Sequence, residues 1–152
     1  MRTERKKLAV LQVAALGADF CAKHVAGSRL PAFRKTSSVF PAVTCTAQAS
    51  VRTGALPSVH GMIGNGLFFR DLRKVLFWEQ AASLVSGRRI WESMRRDDQL
   101  SVGMMFWQQS LGEQVDLVLS PRPIHKHEGG MIQDCHSIPE PLYADLCRET
   151  GA

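Results

Sequence analysis

The sequence predicts an α/β domain built on a mainly parallel sheet, and three observations carry that expectation. Short apolar runs recur at residues 8–14, in "VGMMFW" and in "VDLVLS", with the length and composition of buried strands. Segments with helix signals alternate with these runs, which is the order that builds strand–helix–strand units. At 152 residues and 45% hydrophobic, the chain is large enough for one domain with its own core.

Taken in order, residues 8–14 read as a first buried strand ending before Gly17. A polar connection containing Gly and Pro follows and holds a short helix from about Asp19 to Val25. "KTSSVF" then leads into "FPAVTCTAQASVRTGALPSVHGMIGNG", residues 40–66, in which "TCTAQASVRT" has helical character. Gly54 is its stop, because glycine takes the left-handed conformation that ends helices without steric cost. Asn65-Gly66 signals a turn, and "LFFRDLRKVLFW" reads as a hairpin around Asp71. "EQAASLVSG" and "RRIWESMRR" are two helical pieces separated at Gly87. "VGMMFW" and "VDLVLS" are the next strands, "PRPIHKHEGGMIQDCHSIPEP" is a long loop, and "LYADLCRET" is a closing helix. There are no internal repeats and no low-complexity segments.

Composition narrows the functional classes. The formal charge of +5 suits an anionic partner. Yet the charge is dispersed, apart from "RTERKK" and a smaller patch at "RRIWESMRR", and no nucleic-acid-binding motif accompanies it. A solvated basic face is the expectation, and no specific nucleic acid is expected as partner. Cys21, Cys45, Cys135 and Cys147 are far apart and form no CxxC pair, which excludes a zinc ribbon and suits buried thiols in a reducing compartment. The start, "MRTERKKLAVLQVAALGA", resembles a secretory signal in outline. Gln12 interrupts its apolar run and no clean Ala-x-Ala site follows, so a strand and a cytoplasmic location are the expectation, with a secreted or periplasmic one as the alternative. No stretch approaches the roughly 20 apolar residues of a membrane span.

Residues 40–66 are unusual in this basic chain, because only Arg52 and His60 among them can carry charge. A threonine hydroxyl is a weak nucleophile until a base or metal activates it. Thr44 falls where a strand end meets a helix start, and there the helix dipole and free N–H groups favour a phosphate. Hydroxyls and glycines also gather in loops for turn reasons alone, and on the residues alone Thr44 reads first as an ordinary helix N-cap.

The combination of Thr44, Thr53-Gly54, "PSVHGMIGN" and Asn65 resembles the nucleophile segment of the type I phosphodiesterase/nucleotide pyrophosphatase family, within the alkaline phosphatase superfamily. The likeness continues through "FFRDLRKVLFWEQ", "GRRIWESMRR" and "SPRPIHKHEGGMIQDC" and so covers most of the chain. It implies an alkaline-phosphatase-like three-layer sandwich and a metal-dependent hydrolase of phosphoester or nucleotide substrates. Thr44 then matches the nucleophile, which also ligates one of two divalent metals, usually zinc. Asn65 matches the amide that donates to a phosphoryl oxygen. The implied course is a phospho-threonine intermediate, later hydrolysed.

Two departures from the family pattern stand out. Ala14 occupies the place of a metal-binding aspartate at the end of the first strand, and Asp19 is the nearest candidate to replace it, with an exposed helix-start aspartate as the alternative reading. The resemblance also implies that the remaining Asp and His ligands come from later segments. Residues 1–152 are therefore expected to be an incomplete N-terminal portion of the catalytic domain, inactive alone and prone to self-association. A non-catalytic phosphoester-binding relative is the alternative. The set His125, His127, Glu128, Asp134 and His136 is chemically able to hold a metal, but reads first as a polar rim. His60 reads as a backbone hydrogen-bonding partner rather than a base. The aromatic residues Phe68, Phe69, Phe77, Trp78, Trp91, Phe106 and Trp107 read as core and rim.

Overall fold

The computed structural model describes residues 7–24, 34–98 and 100–151. The chain divides into two units, Met1–Ser37 and Ser38–Ala152. Within the first, α1 (Ala18–His24) matches the expected short helix, while Val25 and most of the basic start lie outside the described residues. The expected first strand does not form. Among the described residues, residues 8–14 pair with no strand, and Leu8 and Leu11 are 89% and 84% exposed. A parallel strand is stable only when neighbours satisfy its backbone and cover both faces, and the described residues of this unit provide neither. Apolar content alone was insufficient.

The second unit is a mixed α/β assembly. Helix α2 (Thr44–Thr53) forms as expected and ends at Gly54, whose φ of 65° is the left-handed conformation that glycine accommodates. Its buried residues Cys45, Thr46, Gln48, Ala49 and Arg52 follow helical spacing and define one inward face. The one-turn helix α3 (Pro57–His60) follows. Strands β1 (Gly66–Phe69) and β2 (Lys74–Phe77) then make the hairpin expected around Asp71, with Gly66 opposite Phe77.

Beyond the hairpin, "EQAASLVSG" gives only a 3-10 turn at Ala82–Leu84, and α4 (Trp91–Asp98) forms from "RRIWESMRR". Strands β3 (Gly103–Met105) and β4 (Leu117–Pro121) pair in parallel, as their apolar runs predicted. The long loop contains structure that its Pro and Gly content concealed. Strands β5 (Ile124–His125) and β6 (Met131–Ile132) form a small hairpin, and β7 (Cys135–Ile138) joins β4 antiparallel. Helix α5 (Leu142–Thr150) closes the unit.

Among the described residues the strands therefore belong to three small sheets, β1-β2, β3-β4-β7 and β5-β6, and do not form one mainly parallel sheet. Two apolar clusters hold the unit together. Cys45, Ala49, Met62 and Val85 pack beneath α2 with Leu67 and Leu84. Met104, Val115 and Val118 pack with Trp91, Trp107 and Ile138 around the mixed sheet. The aromatic set divides accordingly: Trp91 and Trp107 join the core, while Phe68, Phe77, Trp78 and Phe106 are exposed. No helix among the described residues is long and apolar enough to cross a membrane.

Candidate functional site

Thr44 opens α2 and is half-buried. It is not the N-cap. That position belongs to Val43, which is extended and supplies no side-chain hydrogen bond. The first N–H groups of a helix have no intrahelical acceptor, and a valine leaves them uncapped. The first turn also contains no acidic residue, so nothing within it opposes the positive end of the dipole.

Asn65 supplies a cap from the far end of the segment. Its Oδ1 accepts the Cys45 N–H at 3.1 Å. That bond fixes the amide's orientation, because the oxygen is committed to the helix and the Nδ2 donors point away from it. The backbone around Asn65 is held as well. Its carbonyl accepts the Trp78 N–H at 2.9 Å, and the Phe77 ring lies so close over Gly66 that a Cβ there would sit 2.7 Å from it. Only glycine permits that approach. The residues expected to act together, Thr44 and Asn65, are thus brought to the same helix end.

A buried polar network lies behind this helix end. Gln109 Nε2 donates to Cys45 Sγ at 3.2 Å and to the Glu79 carbonyl at 2.9 Å. The Gln109 N–H donates to Gln80 Oε1, and its carbonyl accepts Arg52 Nη1 at 2.7 Å. Arg52 is fully buried and lies 3.3 Å from Glu113, which also accepts Arg89 Nε at 3.0 Å through both oxygens. Burial pushes the Arg52 pKa down to about 10, with Glu113 pulling it back up and Arg89 pressing it further down. Arg52 nevertheless remains charged at neutral pH.

His60 is fully buried at the end of α3. Its Nδ1 accepts the Met62 N–H at 3.1 Å, so in the neutral ring Nε2 carries the proton and donates to Ser50 Oγ at 2.8 Å. Burial, reinforced by the Arg52 charge, lowers its pKa below the ordinary 6.5. This is the backbone-binding role expected from the sequence. His60 is not placed as a general base.

The donor set around Thr44 does not fit a complete metal site. Thr44 offers one neutral oxygen, and its polar neighbours in this network, Cys45, Asn65 and Gln109, are neutral. Burial raises the Cys45 pKa above 9.0, with the Gln109 hydrogen bond and the Arg52 charge partly offsetting it, so the thiol stays protonated and is a poor ligand. Among the described residues, no group of three or more His, Cys, Asp or Glu side chains converges to hold a metal. Asp19 sits in the first turn of α1, with a 91% exposed side chain 3.9 Å from Lys35 Nζ. That is the helix-start placement given as its alternative. Asp134 is engaged by Arg122, whose hydrogen bond lowers its pKa, helped by the Cys135 N–H.

The site is an open helix end. Neither of two surface depressions, an open groove of about 850 Å³ along Val75–Ala81 and one of about 660 Å³ beside Trp91, has Thr44 or Asn65 in its wall. Sequence reading missed Gln109 and Glu113, which reach α2 across long separations, and Gln80, which holds the Gln109 backbone. The signal available was the run of amides in "FWQQS", polar residues between two apolar strands.

A family model described as type I phosphodiesterase / nucleotide pyrophosphatase matches residues 32–133. That span contains Thr44, Asn65 and the Gln109 network, and does not contain Asp19. No curated protein and no solved structure matches the chain.

Proposed function

The chain belongs to the type I phosphodiesterase/nucleotide pyrophosphatase family, and from that premise we propose that Thr44 is the nucleophile and Asn65 the phosphoryl-oxygen donor of a phosphodiester-cleaving site. The observation that carries this reading is the bond from the Cys45 N–H to Asn65 Oδ1. It ties the amide to the turn that Thr44 opens and leaves the Nδ2 donors for an anion. Apart from the capped Cys45 N–H, the first turn has N–H groups with no intrahelical acceptor, and the helix dipole favours the same charge.

In this reading the Thr44 hydroxyl oxygen attacks phosphorus. A P–Oγ1 bond forms, the ester bond to the leaving group breaks, and the threonine hydroxyl proton departs on the leaving alcohol. The Asn65 amide stabilises the charge that builds on a phosphoryl oxygen, and water then releases the phosphoryl group from threonine. Phosphoesters or nucleotides are the substrate class. The family is generally metal-dependent, and the resemblance points to two divalent ions, zinc in the usual case. The described donor set does not assemble a site for them, so no step is routed through a metal. A second reading, phosphoester binding without cleavage, is favoured by that donor set and by Ala14 in place of a carboxylate.

A titration with an aryl phosphodiester and added zinc separates the two readings. Turnover that disappears in Thr44→Ala supports cleavage. Saturable binding of inorganic phosphate without turnover supports the second reading. Turnover retained by Thr44→Ala refutes the assignment.

A further inference from the structure

We propose that Gln109 is the positioning residue for the first turn of α2, locking the Cys45 side chain while Asn65 locks its backbone; this rests on the reading of Thr44 as the attacking group. Cys45 is the residue next to Thr44 and is 0% exposed. Its N–H is held by Asn65 Oδ1 at 3.1 Å and its Sγ by Gln109 Nε2 at 3.2 Å. The two bonds come from different elements and act on different ends of one residue. Together they restrict both the translation and the rotation of the turn from which Thr44 projects.

Gln109 itself is built for holding. It is 1% exposed and adopts a φ of 52°, a left-handed conformation that a glutamine occupies only at a cost. Its backbone is fixed there on both sides, by Gln80 Oε1 at the N–H and by the buried Arg52 at the carbonyl. Its side-chain oxygen has no partner among the described residues, so the buried amide is retained for its NH2 end alone. That end reaches Cys45 Sγ and the Glu79 carbonyl. A side chain needed only to fill space would favour an apolar residue at this position, since a buried amide with an unpaired oxygen is destabilising. The strained backbone and the half-satisfied amide are both accounted for if the function is to aim one donor at Cys45. Residues that hold a nucleophile matter because effective attack depends on near-contact geometry rather than on affinity.

The test compares Gln109→Met, of similar shape but without the donor, with Cys45→Ala, which removes the acceptor, and with the double variant. The primary readout is amide hydrogen exchange along α2. Gln109→Met is expected to accelerate exchange at Cys45 and Ala47, the hydrogen-bonded amides of the first turn, about fivefold, the factor one net hydrogen bond is worth. Exchange at Ala49 to Thr53 should remain unchanged. In the Cys45→Ala background the same substitution should add little. Uniform acceleration along the helix, no acceleration at all, or full additivity in the double variant would each overturn the proposal. Hydrolysis of an aryl phosphodiester separates the two layers of the argument. A fall in kcat at constant KM in Gln109→Met supports positioning of the nucleophile. If Thr44→Ala keeps its turnover while the exchange pattern holds, the functional reading fails and the clamp stands.

Discussion

Asn65 carries two tasks in this account, and substitution separates them. Its oxygen caps the Cys45 N–H, and its nitrogen is assigned to the phosphoryl group. Asn65→Ala removes both, so it should lose about 1 kcal/mol of stability as an absent helix cap does, and about 10²-fold in rate as an absent oxyanion donor does. Asn65→Asp keeps an acceptor for the Cys45 N–H and places a negative charge at a helix N-terminus that has no acidic residue in its first turn. That charge contributes about 0.3–1 kcal/mol, so the aspartate variant should be at least as stable as the parent. Its rate should nevertheless fall below that of the alanine variant, since a carboxylate repels the incoming phosphate and donates nothing. The stability order is then Asp, Asn, Ala, and the rate order Asn, Ala, Asp. Urea unfolding and hydrolysis of a chromogenic aryl phosphodiester with added zinc measure the two orders. An aspartate variant as unstable as alanine would remove the cap, and one with parental turnover would remove the donor.

Other consequences follow from the buried groups. His60 has a folded-state pKa below 6.5, so the unfolded chain takes up its proton first as the pH falls. Its contribution to stability is intact above about pH 6.5 and declines as the pH drops toward the folded-state value. Unfolding midpoints between pH 7.5 and 5 should show that decline, and a flatter profile in His60→Asn, whose Oδ1 replaces Nδ1 as acceptor for Met62. Glu113→Gln leaves the buried Arg52 and the partly buried Arg89 without a counter-charge and should cost about 3–5 kcal/mol. Arg52→Met should cost less, because Glu113 keeps Arg89; equal losses would contradict the network. Gly54→Ala should destabilise by about 1 kcal/mol through backbone strain alone, because the added Cβ meets Ile90 at an ordinary 3.5 Å. The exposed Leu8, Leu11, Phe40 and Phe77 should drive self-association, visible as concentration-dependent sedimentation; a monomer at all concentrations would refute this.

What the sequence made legible was local. Gly54 ended α2 because a left-handed residue was needed there, and Asp71 sat in the turn joining two short apolar runs. The Thr44–Asn65 relation was readable for the same reason, since one compact segment joins them. Residues 8–14 show the limit. Their apolar pattern is that of a strand, but a strand also requires partners, and pattern does not reveal where partners are. The long loop erred in the opposite direction. Its Pro and Gly residues signalled turns correctly, yet β7 pairs with β4 inside it, across a separation that no local signal records. Gln109 escaped notice because its role depends on α2 and the hairpin exit meeting in space.

The central claim is that the Thr44 hydroxyl forms the bond to phosphorus. The most direct measurement is acid quenching of the protein during reaction with an aryl phosphodiester and added zinc, followed by peptide mass spectrometry. Where the substrate is turned over, the account predicts a phosphoryl adduct on Thr44 that is absent from Thr44→Ala. An adduct on any other residue, or undiminished turnover by Thr44→Ala, would contradict it.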